Sequence, residues 1–389
     1  MTKVRLGVLA THPIQYQAPL FRKLAKDPRV DLRVYFCHDH GVRPTLDVQF
    51  GKVIQYDVPL LEGYAHEFLP NLHPQPTLDP KRLINPRIFS VLRSGDHDAF
   101  VIQGYNYLTS ILALLGPHGR TKLMFRGESN LTFGRSIGKK IAKEIYLRAA
   151  FYRVAQFLSI GRLNSAYYES YGVSPDKITV APYTVDNAFF QERSRDAQKD
   201  RSAVRKKLGL REEGTVFLFV AKLIAKKRPF DALRAFLDVA DDTATLAFVG
   251  SGDLQADLEN EIRARGAGDR VKLLGFRNQS ELPEIYGASD VLVLPSDLET
   301  WGLVVNEAMA SGMIAICSDQ IGSAPDLVDP SCIYPTGDVR ALGAIMNKLV
   351  SNESERARLA SEARVRIEHW GIPETAEGFI QGALRAVGG

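Results

Sequence analysis

The stretch LPSDLETWGLVVNEAMASG, residues 294–312, carries the clearest sign of the fold, because it passes from an apolar strand into a helix. The strand ends at Pro295, a polar loop follows, and the helix is predicted to begin near Leu303. In open parallel sheets, ligands bind beyond the carboxyl ends of the strands, where helix N-termini point. Helix N-termini favour anions, and Gly302 lets the backbone approach one closely. The stretch therefore predicts a site for a diphosphate.

Two carboxylates flank this predicted diphosphate site, Glu299 in the loop and Glu307 inside the helix. Ionised carboxylates only accept hydrogen bonds, so each suits a diol such as those of a sugar or a ribose. Apolar residues surround Glu307 on its helix, which argues against a simple position on an exposed helix face. We therefore predict a nucleotide-sugar site whose donor contacts come from Thr300, Trp301, Gly302, Leu303, Val304 and Glu307.

Four cations follow the apolar strand Val216–Val220 in a short loop, namely Lys222, Lys226, Lys227 and Arg228. Cations crowded at the end of a buried strand repel one another unless an anion binds among them, so phosphate oxygens are expected here. For Lys226 and Arg228, simple solvation is the alternative interpretation. Gly250, in the weak GxG pattern after a later strand, and Phe276 with Arg277 after the next strand are expected to line the rest of the donor pocket.

Short β-branched runs alternate with helical patterns along the whole chain. Near-continuously apolar strands separated by helices imply parallel sheets that are covered on both faces. The pattern restarts in the second half of the chain, so two doubly wound α/β domains are predicted rather than one long sheet. The predicted strands are Val4–Ala10, Val30–Phe36, Ala99–Gln103, Lys122–Phe125, Gln156–Ile160, Val216–Val220, Thr245–Val249, Val271–Leu274, Val291–Leu294 and Ile314–Cys317.

The length of 389 residues also fits two domains of average size. The charged segment Asp186–Gly214 is typical of a linker or an exposed helix and contains the predicted boundary. We expect residues 1–187 and residues 188–370 to form these two domains, and residues 371–389 to form a last helix.

Composition excludes several other classes of protein. A formal net charge of +4 is too small for a dedicated nucleic-acid binder. The three cysteines show no CxxC or metal-ligand spacing, which fits a reducing cytosol without a disulfide framework or zinc site. The longest apolar run, residues 108–115, is far shorter than the roughly 20 residues that span a membrane. A cytoplasmic protein is therefore expected.

The segment from Arg135 to Arg153 is predicted to be a basic amphipathic helix. Its apolar residues at helical spacing are Ile137, Ile141, Ile145, Ala149 and Tyr152. Its basic residues are Arg135, Lys139, Lys140, Lys143, Arg148 and Arg153, against the single acid Glu144. One interpretation is a helix packed on the sheet with a solvated charged face. The other is a surface that docks on anionic lipid at the inner face of the membrane, or on a lipid-linked acceptor.

Together the residues of the second half resemble the family 4 glycosyltransferases, which are retaining enzymes. Their E-x7-E signature is present as Glu299 and Glu307, and their basic residue followed five positions later by lysine is present as Lys222 and Lys227. The similarity covers about residues 215–338. It implies a GT-B fold, in which two Rossmann-like doubly wound domains face a central cleft. In that fold, residues 1–187 would bind the acceptor, residues 188–370 would bind the nucleotide sugar, and the last helix, residues 371–389, would cross back to the first domain.

The resemblance also implies roles for these residues. Glu307 would bind the ribose, Glu299 the transferred sugar, and Lys222 and Lys227 the diphosphate as it leaves, so that Lys222, Lys227 and Glu299 form the catalytic set. No metal or other cofactor is expected, since the cations and the helix N-terminus replace it. The one DxD-like triplet, residues 96–98, precedes a strand and lies at the wrong edge of the sheet for a ligand. A place in polysaccharide or other cell-envelope synthesis is expected from the same resemblance.

The first half departs from the family pattern. The loop after its first strand, residues 11–17, contains no glycine, yet His12, Gln15 and Tyr16 suit hydrogen bonds to a sugar acceptor. His12 held by backbone groups is the structural alternative. After a later strand come Arg126 and Glu128, which either pair with each other or face the phosphates and the acceptor respectively. Residues 183–186, YTVD, resemble the NGVD motif of the family's hinge.

The predicted reaction is retaining transfer of a sugar from a nucleotide diphosphate, with UDP or GDP expected, to a hydroxyl of a saccharide or lipid-linked acceptor. Two alternatives stay open. A nucleotide-sugar epimerase of the same fold would act on the donor alone, and a non-catalytic nucleotide-sugar sensor would bind it without releasing nucleotide. A dinucleotide-dependent oxidoreductase is disfavoured because the first loop lacks GxGxxG.

Overall fold

The computed structural model describes residues 3–42, 45–47, 52–54, 57–73, 78–131, 137–239 and 241–389. By its internal contacts the chain divides into two compact units. The first comprises Met1–Thr45, Ile54–Tyr183 and Ile372–Gly389, and the second comprises Leu46–Val53 and Thr184–Gly371. Each unit is built around its own parallel sheet.

Seven parallel strands form the sheet of the first unit, in the order β5-β2-β1-β6-β7-β8-β9. The strand order reverses between β1 and β6, and β3 and β4 form a separate two-stranded sheet. The seven strands of the large sheet are β1 (Val4–Ala10), β2 (Val30–Phe36), β5 (Ala65–Phe68), β6 (Ala99–Gln103), β7 (Lys122–Arg126), β8 (Gln156–Ser159) and β9 (Ile178–Val180), and the separate sheet consists of β3 (Thr45–Asp47) and β4 (Lys52–Ile54).

Helices cover both faces of this sheet, because its central strands are apolar on both sides. In β6, Val101 packs into the core cluster that contains Phe21, whereas Phe100 and Ile102 pack into the cluster that contains Phe151. The first five helices are α1 (Ala18–Ala25), α2 (Ile88–Arg93), α3 (Leu108–Leu115), α4 (Ile137–Tyr152) and α5 (Arg162–Ser170).

Six parallel strands form the sheet of the second unit, in the order β12-β11-β10-β13-β14-β15. The order reverses between β10 and β13, which defines the switch point at which open α/β sheets bind ligands. The strands are β10 (Val216–Val220), β11 (Thr245–Val249), β12 (Val271–Gly275), β13 (Val291–Leu294), β14 (Ile314–Ser318) and β15 (Ile333–Tyr334).

The charged segment after Asp186 folds as two capped helices of the second unit. The Asp186 side chain accepts a hydrogen bond from the Phe189 amide, and Asp200 accepts one from the Ala203 amide, as N-caps do. The helices of this unit are α6 (Asn187–Lys199), α7 (Arg201–Lys207), α8 (Pro229–Leu237), α9 (Gln255–Ala264), α10 (Leu282–Gly287), α11 (Val304–Ala310), α12 (Ala324–Leu327), α13 (Val339–Ser351) and α14 (Glu353–Glu368).

The last helix, α15 (Ile372–Gly388), packs on the sheet of the first unit. Its Phe379, Ile380 and Ala383 are buried in the same core cluster as β1 and β2. A Cβ at Gly378 would lie 2.4 Å from the Val180 carbonyl oxygen, so glycine is needed for this close approach to β9.

The prediction of which apolar face of the basic helix α4 is buried is wrong. Ile145 and Tyr152 are exposed, the latter to 90%, whereas Leu147, Ala150 and Phe151 are buried. The predicted Arg135 lies outside the described residues, and nothing is assigned to the side chains of residues 137–142. Among the helices that the structure describes, none is long and apolar enough to cross a membrane.

Candidate functional site

The candidate site of the second unit lies at the switch point of its sheet, between β10 and β13. β10 and β13 are hydrogen-bonded neighbours, so the loops that follow them meet at the same edge. The loop after β10 carries Lys227, and the loop after β13 carries Glu299. The amide of Asp297 donates to the carbonyl of Lys226 at 2.9 Å, which ties the two loops together directly.

Lys227 and Glu299 form an ion pair between their Nζ and Oε1 atoms. Their side chains are 20% and 14% exposed, so both charges keep limited contact with solvent. The backbone of Glu299 is fixed by its amide, which donates to Gln320, and by its carbonyl, which accepts from the Gly322 amide. A lysine ammonium has three donors, so one bond to Glu299 leaves others for phosphate oxygens.

Glu307 lies in the first turn of α11 and is only 3% exposed. The hydroxyl of Tyr286, from α10, donates to its Oε2 at 2.6 Å. Glu307 therefore does not lie on the solvent-exposed face of a surface helix. A carboxylate held at the N-terminal end of a helix is also favoured by the helix dipole.

The loop between Glu299 and α11 has the backbone conformation that glycine permits. Gly302 has φ +90, a left-handed conformation that a side chain would strain. Thr300, Leu303 and Val304 are half-buried. Trp301 is different, because its ring is buried, stacks on Trp370 with centroids 5.2 Å apart, and donates from Nε1 to Asn306. The indole of Trp301 therefore packs in the core, whereas its backbone is still suited to contact a ligand.

The other cations of the basic loop have distinct environments. Lys222 is half-buried and Lys226 is exposed. Arg228 pairs with Asp231 and Asp297 at 2.6 and 2.7 Å, and these carboxylates raise the pKa of its guanidinium. The guanidinium of Arg228 is thus engaged in ion pairs with these two carboxylates.

The structure gives a different reason for Gly250 than the sequence pattern did. A Cβ there would lie 2.0 Å from the carbonyl oxygen of Ala221, so glycine is required for chain packing whether or not a ligand is bound. Phe276 and Arg277 are half-buried in the loop after β12. The Arg277 guanidinium donates to Glu281 at 3.1 Å and to the carbonyl of Leu274 at 3.2 Å.

In the first unit, His12, Gln15 and Tyr16 lie in the loop between β1 and α1 and are half-buried. The His12 ring meets the His40 ring edge to face, with centroids 5.2 Å apart, and its buried Nδ1 has no hydrogen-bond partner among the residues that the structure describes. Burial, followed by the positive charges that His40 and His38 can carry, lowers the pKa of His12 to about 4. His12 is therefore neutral at physiological pH.

This depressed pKa predicts a loss of stability in acid. The unfolded chain protonates His12 near its ordinary pKa of 6.5, whereas the folded chain resists protonation down to about pH 4. Between those values the unfolded state binds more protons, so the free energy of unfolding should fall by up to roughly 3 kcal/mol as the pH drops from 6.5 to 4. Unfolding by urea at each pH, followed by circular dichroism, measures this, because both tryptophans lie in the second unit and do not report on His12.

The variant His12→Gln should lose less stability across the same pH window, and His369→Gln, which changes an exposed histidine, should behave as wild type. An identical pH dependence in wild type and His12→Gln would contradict the argument.

Arg126, at the end of β7, is buried, and its guanidinium donates to the carbonyls of Ala181 at 2.7 Å and Pro182 at 3.3 Å. Burial lowers its pKa. Glu128 is exposed and accepts a hydrogen bond from the Tyr183 hydroxyl at 2.7 Å. Burial, then Glu128, raise the pKa of Tyr183 well above its usual value, and Tyr16 is close enough to contribute. The structure thus brings Tyr16, Arg126 and Glu128 together around Tyr183.

The triplet of residues 96–98 is engaged in structural contacts. Asp98 pairs with Arg5 at 2.6 Å, and the Tyr35 hydroxyl lies 2.9 Å from His97 Nε2. In the part of the chain that the structure describes, no group of three or more histidine, cysteine or carboxylate side chains is placed to hold a metal. Cys37, Cys317 and Cys332 are buried free thiols.

Some functional neighbours were not recognised in the sequence. Tyr286 lies 21 positions before Glu307, in a different helix, and no local pattern links the two. Asn85, which is fully buried, and the two histidines near His12, which are His38 and His40, were also missed. The only available signal for the histidines was their position after β1 and β2, two neighbouring strands of the sheet.

Comparison with known proteins finds relatives of the part of the chain that carries these residues. Residues 200–366, which contain Lys227, Glu299 and Glu307, match the family described as Glycosyl transferases group 1. The amylovoran biosynthesis glycosyltransferase AmsK of Erwinia amylovora is 28% identical over 222 residues, which are 54% of this chain and 51% of that protein. The chain therefore spans about half the length of the curated relatives it matches.

Solved structures resemble the chain over nearly its whole length. HepE of Anabaena in complex with UDP superposes with a TM-score of 0.73 at 18% identity, covering 97% of this chain and 98% of HepE. The catalytic domain of starch synthase IV of Arabidopsis thaliana, bound to ADP and acarbose, gives a TM-score of 0.72 at 14% identity and full coverage of both chains. At these identities the likeness establishes the fold.

The fold is that of the GT-B glycosyltransferases, with two Rossmann-like α/β domains. The sequence prediction of this fold class is confirmed. The match of the second unit to the group 1 glycosyl transferases and to named glycosyltransferases supports the same class of enzyme.

Proposed function

We propose that the chain is a family 4 retaining glycosyltransferase that moves a sugar from a nucleotide diphosphate to a hydroxyl of a saccharide or lipid-linked acceptor. The observation that carries this proposal is the ion pair of Lys227 and Glu299 at the switch point of the unit that matches the group 1 glycosyl transferases. Switch points of parallel sheets are where such folds bind nucleotides. A cation paired with a carboxylate there suits a phosphate beside a sugar.

On the donor side, each charged group has a distinct role. Glu307, held by Tyr286, binds the ribose hydroxyls as an acceptor. Glu299 binds hydroxyls of the transferred sugar, and Lys227 and Lys222 bind the diphosphate. The backbone of residues 300–304, with Gly302 in its left-handed conformation, lies against the phosphates. We propose that Phe276 and Arg277 border the same donor.

In the proposed reaction, the bond between the sugar C1 and the diphosphate oxygen breaks, and the electron pair leaves with the diphosphate. The acceptor hydroxyl attacks C1 from the same face, and a phosphate oxygen takes its proton, so the configuration at C1 is retained. Charge develops on the leaving diphosphate, where preorganised cations stabilise the transition state most effectively. Lys222 and Lys227 supply that charge without a metal in this mechanism.

The first test is nucleotide binding followed by turnover. UDP and ADP are the first nucleotides to try because they are bound by the structural neighbours, and GDP completes the panel. We expect one diphosphate to raise the melting temperature, and the matching nucleotide sugars to release free nucleotide diphosphate slowly in water and faster with acceptor. Binding without release with any acceptor identifies a sensor, and a changed sugar without release identifies an epimerase. No binding by any nucleotide contradicts the proposal.

We propose further that the enzyme works in the cytoplasm on cell-envelope glycans, and that α4 touches the inner face of the membrane. Ile145 and Tyr152 are exposed, and Tyr152 lines a pocket of about 580 Å³, whose lining also includes Arg148 and Lys177. Exposed apolar side chains next to cations are typical of surfaces that bind anionic lipid. Lys143 does not belong to this surface, because its ammonium lies 5.1 Å from the ring centroids of both Tyr105 and Tyr167.

The double variant Ile145→Ser, Tyr152→Ser should therefore bind vesicles that contain phosphatidylglycerol several-fold more weakly than wild type in co-sedimentation. The matched control is Val365→Ser, an exposed valine of α14 in the second unit. Equal sedimentation of all three proteins, or binding to purely zwitterionic vesicles of the same extent, would remove the membrane role from this helix.

A further inference from the structure

The two tryptophans of the chain, Trp301 and Trp370, stack on each other within the second unit. Their ring centroids lie 5.2 Å apart, and the ring planes differ by 28°. Trp301 belongs to the loop that leads into α11, residues 299–303, which we call the donor loop. Trp370 follows α14 and is the last residue but one of the second unit. A residue from a distant part of the chain thus packs on a side chain of the donor loop.

The donor loop needs support from its side chains because of the turn at Gly302, which has φ +90. Glycine has no side chain to anchor, and it permits more backbone conformations than other residues. The order of the turn therefore depends on the neighbouring residues. Thr300 and Leu303 are half-buried, whereas the surface of Trp301 is only 2% exposed. The indole of Trp301 is thus the most deeply buried side chain beside the turn.

Trp301 is held at its backbone, at the edge of its ring and at the face of its ring. Its carbonyl accepts a hydrogen bond from the Ser323 amide at 3.0 Å. Its Nε1 donates to the side chain of Asn306, a fully buried residue of α11, at 2.9 Å. Trp370 packs against the face of the same indole. The ring position of Trp301, and with it the path of the adjacent backbone, therefore depends partly on Trp370.

Trp370 is itself anchored through its backbone. Its carbonyl accepts from the Thr184 hydroxyl and, at 3.3 Å, from the side-chain amide of Asn187. Asn187 also donates to the carbonyl of Ile367 at 3.0 Å, and the Trp370 amide donates to that same carbonyl at 3.0 Å. Because Thr184 is the first residue of this part of the second unit, the end of the unit is tied to its beginning at Trp370. Trp370 thus offers Trp301 a fixed surface.

We infer that Trp370 is a positioning residue for the diphosphate of the donor. It acts through Trp301, by holding the donor loop in the conformation in which the loop backbone contacts the phosphates. An aromatic stack stabilises this conformation beyond the area that it buries, and a preformed loop loses less entropy when a ligand binds. The inference deepens the proposed transferase function and rests on it, since that proposal assigns the phosphates to this loop.

The first test compares affinities of full-length variants, by calorimetry, for the nucleotide diphosphate that stabilises the wild type. Trp370→Ala removes the stack and should weaken binding about tenfold. Trp370→Leu keeps an apolar contact without an aromatic face, so it should weaken binding about threefold, and it serves alone if Trp370→Ala does not fold. Trp370→Phe keeps a ring that can stack and should bind within about twofold of wild type.

Two control variants separate positioning from a general loss of stability. His369→Ala changes the exposed neighbour of Trp370 and should bind the nucleotide as wild type does. Ile262→Ala removes a buried side chain in the last turn of α9, on an element that does not include the donor loop. It should lower the Tm because it leaves a cavity, with nucleotide affinity unchanged.

Tryptophan fluorescence gives an independent measurement of the stack, because the sequence contains only Trp301 and Trp370. Trp301 is the single emitter in every Trp370 variant. Acrylamide should quench Trp301 several-fold more strongly in Trp370→Ala, or in Trp370→Leu, than in Trp370→Phe. Saturating nucleotide diphosphate should reduce that difference, because a ligand that binds the ordered loop shifts the population towards it.

The inference is overturned if the variants without an aromatic ring bind the nucleotide as tightly as wild type, or if Trp370→Phe loses as much affinity as they do. An equal loss in Ile262→Ala, or equal quenching of Trp301 with and without the aromatic ring at position 370, overturns it as well. These outcomes leave the transferase proposal standing when the wild type binds a nucleotide diphosphate. A wild type that binds none refutes the transferase proposal, and the role of Trp370 with it.

Discussion

Replacing Lys227 by alanine is expected to slow the release of nucleotide diphosphate from the donor sugar by a factor of about 10²–10³, with nucleotide affinity changed far less. The reason is that charge on the diphosphate grows as the C1–O bond breaks, so a cation contributes more to the transition state than to the bound donor. Lys227 is held for this role by Glu299 and by loops tied together at Asp297 and Lys226. Steady-state release from the best donor of the nucleotide panel gives kcat and KM separately.

Two controls separate catalysis from a structural effect. Lys226→Ala removes an exposed lysine from the same turn and should leave kcat within about twofold of wild type, since it contributes no buried charge. Lys227→Ala also leaves Glu299 without its partner, which can itself disturb the loop. In the double variant Lys227→Met, Glu299→Gln, both charges are gone. Recovery of turnover in that variant, or loss of turnover in Lys226→Ala, would contradict the assignment of Lys227 to the leaving group.

The sequence predicted the central strands well because most of their residues are buried and apolar. β1, β2, β6, β10, β11 and β13 begin and end at the predicted residues. The strands it did not predict are short edge elements. β5 reads AHEF and is mostly exposed, and β15 contains only Ile333 and Tyr334. Their pairing depends on the neighbouring strand rather than on their own composition.

Helix α4 shows how a periodic pattern can select the wrong face. Ile145, Ala149 and Tyr152 share helical spacing, yet the protein buries the neighbouring stripe that contains Leu147, Ala150 and Phe151. Both stripes are apolar, so periodicity alone could not choose between them. The aromatic rings of Phe125, Phe157 and Tyr168, which come from other elements, pack around Phe151 and decide the outcome.

The segment after Asp186 was predicted as a linker or exposed helix because it is highly charged. Most residues of the two helices it forms are exposed or half-buried, but Arg205 is an exception, since it is 4% exposed and pairs with Asp290 at 2.9 Å. Its guanidinium also donates to the carbonyls of Ala288, Glu212 and Gly214. A buried arginine is tolerated when hydrogen-bond acceptors surround it, and two of these acceptors, Ala288 and Asp290, are distant in sequence.

For the donor site, the sequence indicated the charged residues but not their partners. The spacing of Glu299 and Glu307 is local and could be recognised, whereas the pairing of Glu299 with Lys227 spans 72 positions. Gly250 was predicted to line the donor pocket because a glycine after a strand lets a ligand approach the backbone closely. In the fold, the group that approaches is the Ala221 carbonyl, which a sequence pattern does not distinguish from a phosphate. The first unit was harder still, because its polar groups come from loops after four different strands.

Replacing Glu307 by glutamine is expected to weaken binding of the nucleotide diphosphate by a factor of about 10–100, with the fold intact. A hydrogen bond to a charged group contributes about 1.5–3 kcal/mol, and glutamine keeps an oxygen that can accept from Tyr286 while it removes the charge. Tyr286→Phe should weaken binding by a smaller factor of about 3–10, because it only loosens the carboxylate. Isothermal titration calorimetry with the nucleotide that stabilises the wild type measures both.

A ribose contact can be separated from a general disturbance of the buried carboxylate by changing the ligand as well as the protein. The 2′-deoxy and 3′-deoxy forms of the same nucleotide should bind wild type more weakly, because Glu307 then lacks the hydroxyl that donates to it. If Glu307 binds that hydroxyl, its removal should cost Glu307→Gln much less affinity than it costs wild type, since the two changes delete the same interaction. If the affinity lost through the deoxy nucleotide and the affinity lost through Glu307→Gln are additive, Glu307 does not contact the ribose. Its contact with Tyr286 is then a packing feature of α10 and α11. Non-additive losses of affinity would assign nucleotide binding to Glu307. A lower kcat at nearly constant affinity in Lys227→Ala would assign leaving-group stabilisation to Lys227, a different residue at the same edge of the sheet.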